Sequence, residues 1–139
     1  MNCCFDKTRI RILYVEDDED SCEMMRALLK QEGYEVVTVQ TIADGLRLAR
    51  LGGFDLFMLE SWFPNGTGIE LCQQIRTFDS RTPILFYSSL GYESDVQQGM
   101  SAGAQGYRVK PSGLTDIGQS ILRLIKPPAT VSVRSDARQ

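Results

Sequence analysis

Residues 9–20 read R-I-R-I-L-Y-V-E-D-D-E-D. The part from Arg9 to Val15 is apolar and β-branched, and it stops at the acidic run Glu16-Asp17-Asp18-Glu19-Asp20. This predicts a strand that ends in an acidic loop. From Ser21 to Glu32 the period changes. Cys22, Met25, Leu28 and Leu29 fall at helical spacing, and Gly33 follows where a helix C-cap belongs. A strand that is nearly all apolar, then an amphipathic helix, is the unit to look for downstream.

The unit recurs. Glu35 to Val39 reads as a second strand; Thr41, with Asp44 three residues on, resembles a capping box for a second helix that Gly52 and Gly53 end. Phe54 to Leu59 is a third apolar run closed by Glu60, and the cluster from Pro64 to Gly68 is a turn before a third helix with Ile69, Leu71, Cys72 and Ile75. Pro83 opens a fourth strand, Ile84 to Tyr87, followed by Ser88 and Ser89. Glu93 to Ala102 is a weakly apolar fourth helix, with Val96 and Met100 as its inward residues. Gly106 to Val109 is a fifth strand ending at Lys110-Pro111, and Leu114 to Ile125 is a last helix with Ile117, Ile121, Leu124 and Ile125 facing inward. Five βα units imply a parallel sheet with right-handed crossovers and helices on both faces. The fold class is α/β: a doubly wound, flavodoxin-like (βα)5 domain over residues 7–126, with flexible tails at 1–6 and 127–139.

Composition narrows the function. The 139 residues fit one domain, the apolar share of 42% builds one core, and the net charge of -3 argues against a general nucleic-acid surface. No apolar run of membrane-spanning length and no signal-peptide run at the N-terminus occur, so the expected location is cytoplasmic. The sequence has no histidine, which excludes Ser-His and Cys-His nucleophile pairs and a phosphohistidine donor. Cys3, Cys4, Cys22 and Cys72 lack metal-ligand spacing and read as reduced thiols, the last two on helices.

An open parallel sheet binds ligands at the carboxyl ends of its strands. There the sequence presents Glu16 and Asp17, then Glu60, Ser88 and Lys110. Carboxylate oxygens suit Mg²⁺. A hydroxyl and an ammonium can contact phosphoryl oxygens, and a carboxylate can act as nucleophile. The plain alternatives are an exposed acidic loop capping a helix, a strand-end serine and a half-buried strand tyrosine.

Four segments in order carry a resemblance: I-L-Y-V-E-D-D (12–18), D-L-F-M-L-E-S-W-F-P-N-G-T-G (55–68), P-I-L-F-Y-S-S (83–89) and G-A-Q-G-Y-R-V-K-P (103–111). Together they resemble the receiver domain of bacterial two-component response regulators (the CheY-like superfamily). The resemblance implies that Glu16 and Asp17 are the acidic pair, with Asp17 the direct ligand of Mg²⁺ and Glu60 sharing that metal site. It implies that Ser88 is the switch hydroxyl, Tyr107 the switch aromatic and Lys110 the phosphoryl-contact lysine, before a proline whose peptide bond is often cis in the family. Trp62 lies in the loop beside the site, either shielding it or facing a partner.

One position departs. The family's phospho-acceptor aspartate falls on Glu60, with Pro64 still in register. One added methylene moves the carboxylate by about 1.5 Å, and a misplacement of about 1 Å can cost roughly 100-fold in rate. The first expectation is therefore a binding module and not an enzyme: an atypical receiver in phosphorelay signalling, acting through protein contacts. Its partners would be a sensor histidine kinase or another signalling protein, or a second copy through the face formed by the fourth helix, fifth strand and last helix. The second is a conventional Mg²⁺-dependent phospho-acceptor using Glu60 or a neighbour. The third, a flavodoxin-like domain holding a small cofactor, needs a Gly-rich phosphate loop after the first strand, where this sequence has E-D-D-E-D.

Overall fold

The computed structural model describes residues 9–111 and 116–125. Its elements in chain order are β1 (Arg11–Val15), α1 (Glu19–Gln31), β2 (Glu35–Val39), α2 (Ile42–Leu51), β3 (Leu56–Leu59), β4 (Trp62–Phe63), β5 (Gly66–Thr67), α3 (Gly68–Arg76), β6 (Ile84–Ser88), α4 (Glu93–Ala102), β7 (Gly106–Val109) and α5 (Ile117–Ile125). Cys3, Cys4, the expected start of the last helix at Leu114 and both expected tails lie outside the described residues. The main sheet runs β2-β1-β3-β6-β7, with every neighbouring pair parallel. The order reverses between β1 and β3, so the crevice for a ligand opens above those two strand tips.

The apolar strands divide by their period of two. Leu13, Val15, Phe57, Leu59, Ile84 and Phe86 face one way, onto Ala49 of α2 and Leu71, Cys72 and Ile75 of α3. Ile12, Tyr14, Leu56, Met58, Leu85 and Tyr87 face the other, onto Met25 and Leu29 of α1 and Ile117 and Ile121 of α5. Both layers are fully covered, which is why the strands show no polar alternation. Each large side chain buried here contributes about 1.5–3 kcal/mol.

Local chemistry fixes the helix ends. Asp18 caps α1, its carboxylate accepting from the Ser21 amide at 2.9 Å and the Ser21 hydroxyl at 2.7 Å. Thr41 caps α2 through the Asp44 amide at 3.0 Å, and Thr67 caps α3 through the Glu70 amide at 3.1 Å. Gly52 closes α2 at φ 81°, a left-handed conformation that side chains avoid.

Two expectations need correction. The Pro64–Gly68 stretch is more than a turn: β4 and β5 pair antiparallel, Trp62 with Thr67 and Phe63 with Gly66. On α4 it is Gly99 that is buried, while Met100 is 42% exposed. The inward position is tight: a Cβ on Gly99 would lie 3.0 Å from the Phe86 and Tyr107 rings, which would have to shift to admit it.

The hairpin also locks the end of β3. The Gly68 amide donates to the Ser61 carbonyl at 2.7 Å, and a methyl group on Gly68 would overlap the Glu60 carbonyl oxygen. Overpacking of this kind costs about 1–3 kcal/mol. Gly68→Ala is therefore expected to lower stability by about that amount in urea denaturation, whereas no loss would mean that the Glu60 backbone is free to move.

Candidate functional site

The parallel ladder extends one residue past several strands. The Glu16 amide donates to the Val39 carbonyl, the Glu60 amide to the Val15 carbonyl and the Lys110 amide to the Ser88 carbonyl, at 3.0, 3.0 and 2.8 Å. These bonds bring Glu16, Glu60, Ser88 and Lys110 to one edge. Ser88 is fully buried and Ser89 is exposed, so Ser88 is the hydroxyl aimed inward.

Two carboxylates lie almost entirely out of water there: Glu16 is 2% exposed and Glu60 6%. Buried charges need partners. Lys110 pairs with Oε1 of Glu16 and, at 3.0 Å, with Oε1 of Glu60. Glu16 Oε1 also accepts from the Tyr14 hydroxyl at 3.1 Å, and its Oε2 accepts from the Asp18 amide at 3.1 Å. Glu60 Oε2 accepts from the Ser88 hydroxyl at 2.6 Å, the Ser61 amide at 2.8 Å and the Trp62 amide at 3.4 Å. Every carboxylate oxygen of the pair thus has a donor.

The electrostatics follow. Burial alone would lower the Lys110 pKa, but hydrogen bonds from its ammonium to Glu16 and Glu60, with their charges, outweigh burial and raise it above the ordinary lysine value. Burial, then the charge of Glu16, raises the Tyr14 phenol far above its usual range, so it stays a donor. Burial likewise pushes the Cys22 thiol up to about 11, so it is an inert core group.

From Ser88 a second chain of bonds leads outward. Its hydroxyl accepts from the Leu90 amide at 3.0 Å. The Leu90 carbonyl accepts from the Tyr107 hydroxyl at 2.6 Å, and Tyr107 shares a 3.0 Å bond with the Ser61 hydroxyl. The Tyr107 ring stacks on Phe86 with centroids 5.5 Å apart. The Lys110-Pro111 peptide bond is cis.

The sequence matches the response regulator receiver domain family over residues 12–122. The chain belongs to this family. This receiver is 34% identical over 116 residues to the nisin biosynthesis regulatory protein NisR of Lactococcus lactis subsp. lactis, covering 84% of this chain and 50% of NisR. Across the curated relatives it matches, the chain spans about half their length. Its fold superimposes on the non-phosphorylated HemR receiver domain of Leptospira biflexa with TM-score 0.78 at 31% identity, covering 86% of this chain and 96% of that one. It also superimposes on the response regulator TrrA of Thermotoga maritima, solved with Mg²⁺ and BeF, with TM-score 0.75 at 28% identity, covering 83% and 98%. The protein is thus a receiver of two-component signalling, and receivers are signalling domains. No helix among the described residues is long and apolar enough to cross a membrane.

Not every expected site residue joins the cluster. Asp17 is exposed and makes no hydrogen bond or ion pair among the described residues. Among the described residues no three His, Cys, Asp or Glu side chains are grouped to hold a metal ion. Trp62 is 57% exposed. Capping of α1 by the acidic loop, one alternative in the sequence, falls on Asp18, three residues before Ser21; the role of Tyr14 as a donor to Glu16 had no sequence signal.

Removing one partner of a buried ion pair costs about 3–5 kcal/mol. Lys110→Met is expected to lose that much in urea denaturation. Because the folded Lys110 pKa lies above its unfolded value, its contribution is complete below about pH 10.4 and fades as pH rises through the folded pKa. Wild-type stability should therefore fall more steeply than that of Lys110→Met above about pH 10.4; parallel curves would place the lysine outside the nest.

Proposed function

We propose that this receiver signals through protein contacts, with Glu60 standing at the phospho-acceptor position and holding the site in one state. The observation that carries this reading is the 2.6 Å bond from the Ser88 hydroxyl to Glu60 Oε2, made while Oε1 pairs with Lys110. In this reading Ser88 and Lys110 are the groups that would otherwise receive phosphoryl oxygens. The longer side chain reaches them directly, and the Ser61 amide anchors the same oxygen. A carboxylate bound by that many donors is a poor nucleophile, since its lone pairs are engaged and its position is set by them. Its charge of about -1 falls short of the -1.5 to -2 of a phosphoryl group, so the imitation is partial.

The bonds from Ser88 to Leu90 and from Leu90 to Tyr107 extend the held state toward α4 and β7. With α5, these elements form the surface proposed for partners: a sensor histidine kinase, another cytoplasmic signalling protein or a second copy. Tyr92, Met100 and Leu122 supply exposed apolar side chains on these elements or at their ends. If the chain is one part of a longer regulator, as half-length coverage of its relatives allows, the same surface can face a domain in cis.

Incubation with acetyl phosphate and Mg²⁺, followed by intact-mass measurement, tests the reading. The wild type is expected to gain no phosphoryl group, and Glu60→Asp to gain one. A phosphoryl adduct on the wild type would overturn the proposal and favour a conventional phospho-acceptor. No gain on the folded Glu60→Asp variant would show that Glu60 is not what holds the site.

A further inference from the structure

We infer that the Lys110 ammonium takes the place of a divalent cation in this receiver, so that its acidic nest stays assembled without Mg²⁺. The inference shares the placement of Glu60 with the functional reading, and its test does not involve phosphoryl transfer.

The donor count carries it. Two buried carboxylates bring two negative charges to one edge, and a cation must offset them. Lys110 does so from within the chain, bonded to Oε1 of both residues. Its ammonium also lies 5.6 Å from the centre of the Tyr87 ring, which favours positive charge there. The other two oxygens are engaged as well: Glu16 Oε2 by the Asp18 amide, and Glu60 Oε2 by Ser88, Ser61 and Trp62.

Mg²⁺ demands nearly octahedral oxygen ligation at about 2.0–2.1 Å and gives up its waters reluctantly. To bind here it would have to compete with Lys110 for Oε1 or with the amide and hydroxyl donors for Oε2. The ammonium, held beside β6 by the Lys110 amide bond to the Ser88 carbonyl, would remain nearby as a like charge. Asp17 is exposed and has no hydrogen bond or ion pair among the described residues, and Asp18 is committed to capping α1.

The test is a Mg²⁺ titration at constant ionic strength, read by the fluorescence of Trp62, the sole tryptophan, whose amide touches Glu60. Trace Mn²⁺ broadening of the Glu16, Glu60 and Trp62 amide NMR signals provides a second readout. The wild type is expected to show no saturable change up to about 10 mM Mg²⁺, and the same Tm with Mg²⁺ as with EDTA. Lys110→Met, which frees both carboxylates, is expected to gain a saturable response in the millimolar range. Saturable Mg²⁺ binding by the wild type, or Mn²⁺ broadening confined to those amides, would overturn the inference. If Lys110→Met does not fold, the wild-type titration and Mn²⁺ spectra decide it alone. A phosphoryl adduct would sink the functional reading while leaving this result to stand or fall by itself.

Discussion

The site depends on one ammonium group held between two buried carboxylates. A parallel sheet sends every strand's carboxyl end to the same edge, so whatever residues follow the strands must coexist there. Here they are Glu16, Glu60, Ser88 and Lys110. Without Lys110, two negative charges would share a pocket that water barely reaches. With it, the cluster keeps a net charge of one, which hydroxyl and amide donors from Tyr14, Ser88, Asp18, Ser61 and Trp62 spread over four oxygens.

The scaffold makes that arrangement stiff. The β4–β5 hairpin and Gly68 leave no room above the Glu60 carbonyl. Gly99 lets α4 settle on the Phe86–Tyr107 stack, and Tyr107 then reaches both Ser61 and the Leu90 carbonyl. A path of direct hydrogen bonds therefore joins Glu60 to the loop before α4, and each link is short enough to transmit a displacement.

Much of this was legible in the sequence because the two periods are unambiguous. Apolar runs such as I-L-Y-V and I-L-F-Y end abruptly at polar residues, so the strand tips, and hence Glu16, Glu60, Ser88 and Lys110, could be named before any coordinates. Other features were hidden for physical reasons. Met100 looks like a core residue by spacing, but the face against the Phe86 and Tyr107 rings is crowded and holds Gly99. A two-residue hairpin such as β4–β5 has no periodic signal at all. The pairing of Glu16 was only partly legible: an acidic pair beside Glu60 calls for a cation, and the lysine that meets it comes from the far end of the chain. Sequence spacing cannot show whether the cation at such a site is built in.

A double-mutant cycle on Lys110 and Glu60 reaches the central claim most directly. Stabilities of wild type, Lys110→Met, Glu60→Gln and the double variant would be measured by urea denaturation at neutral pH. The account predicts a coupling energy of about 1–3 kcal/mol between the two positions. Losses that add to within about 0.5 kcal/mol would contradict it, because the two charges would then not be interacting.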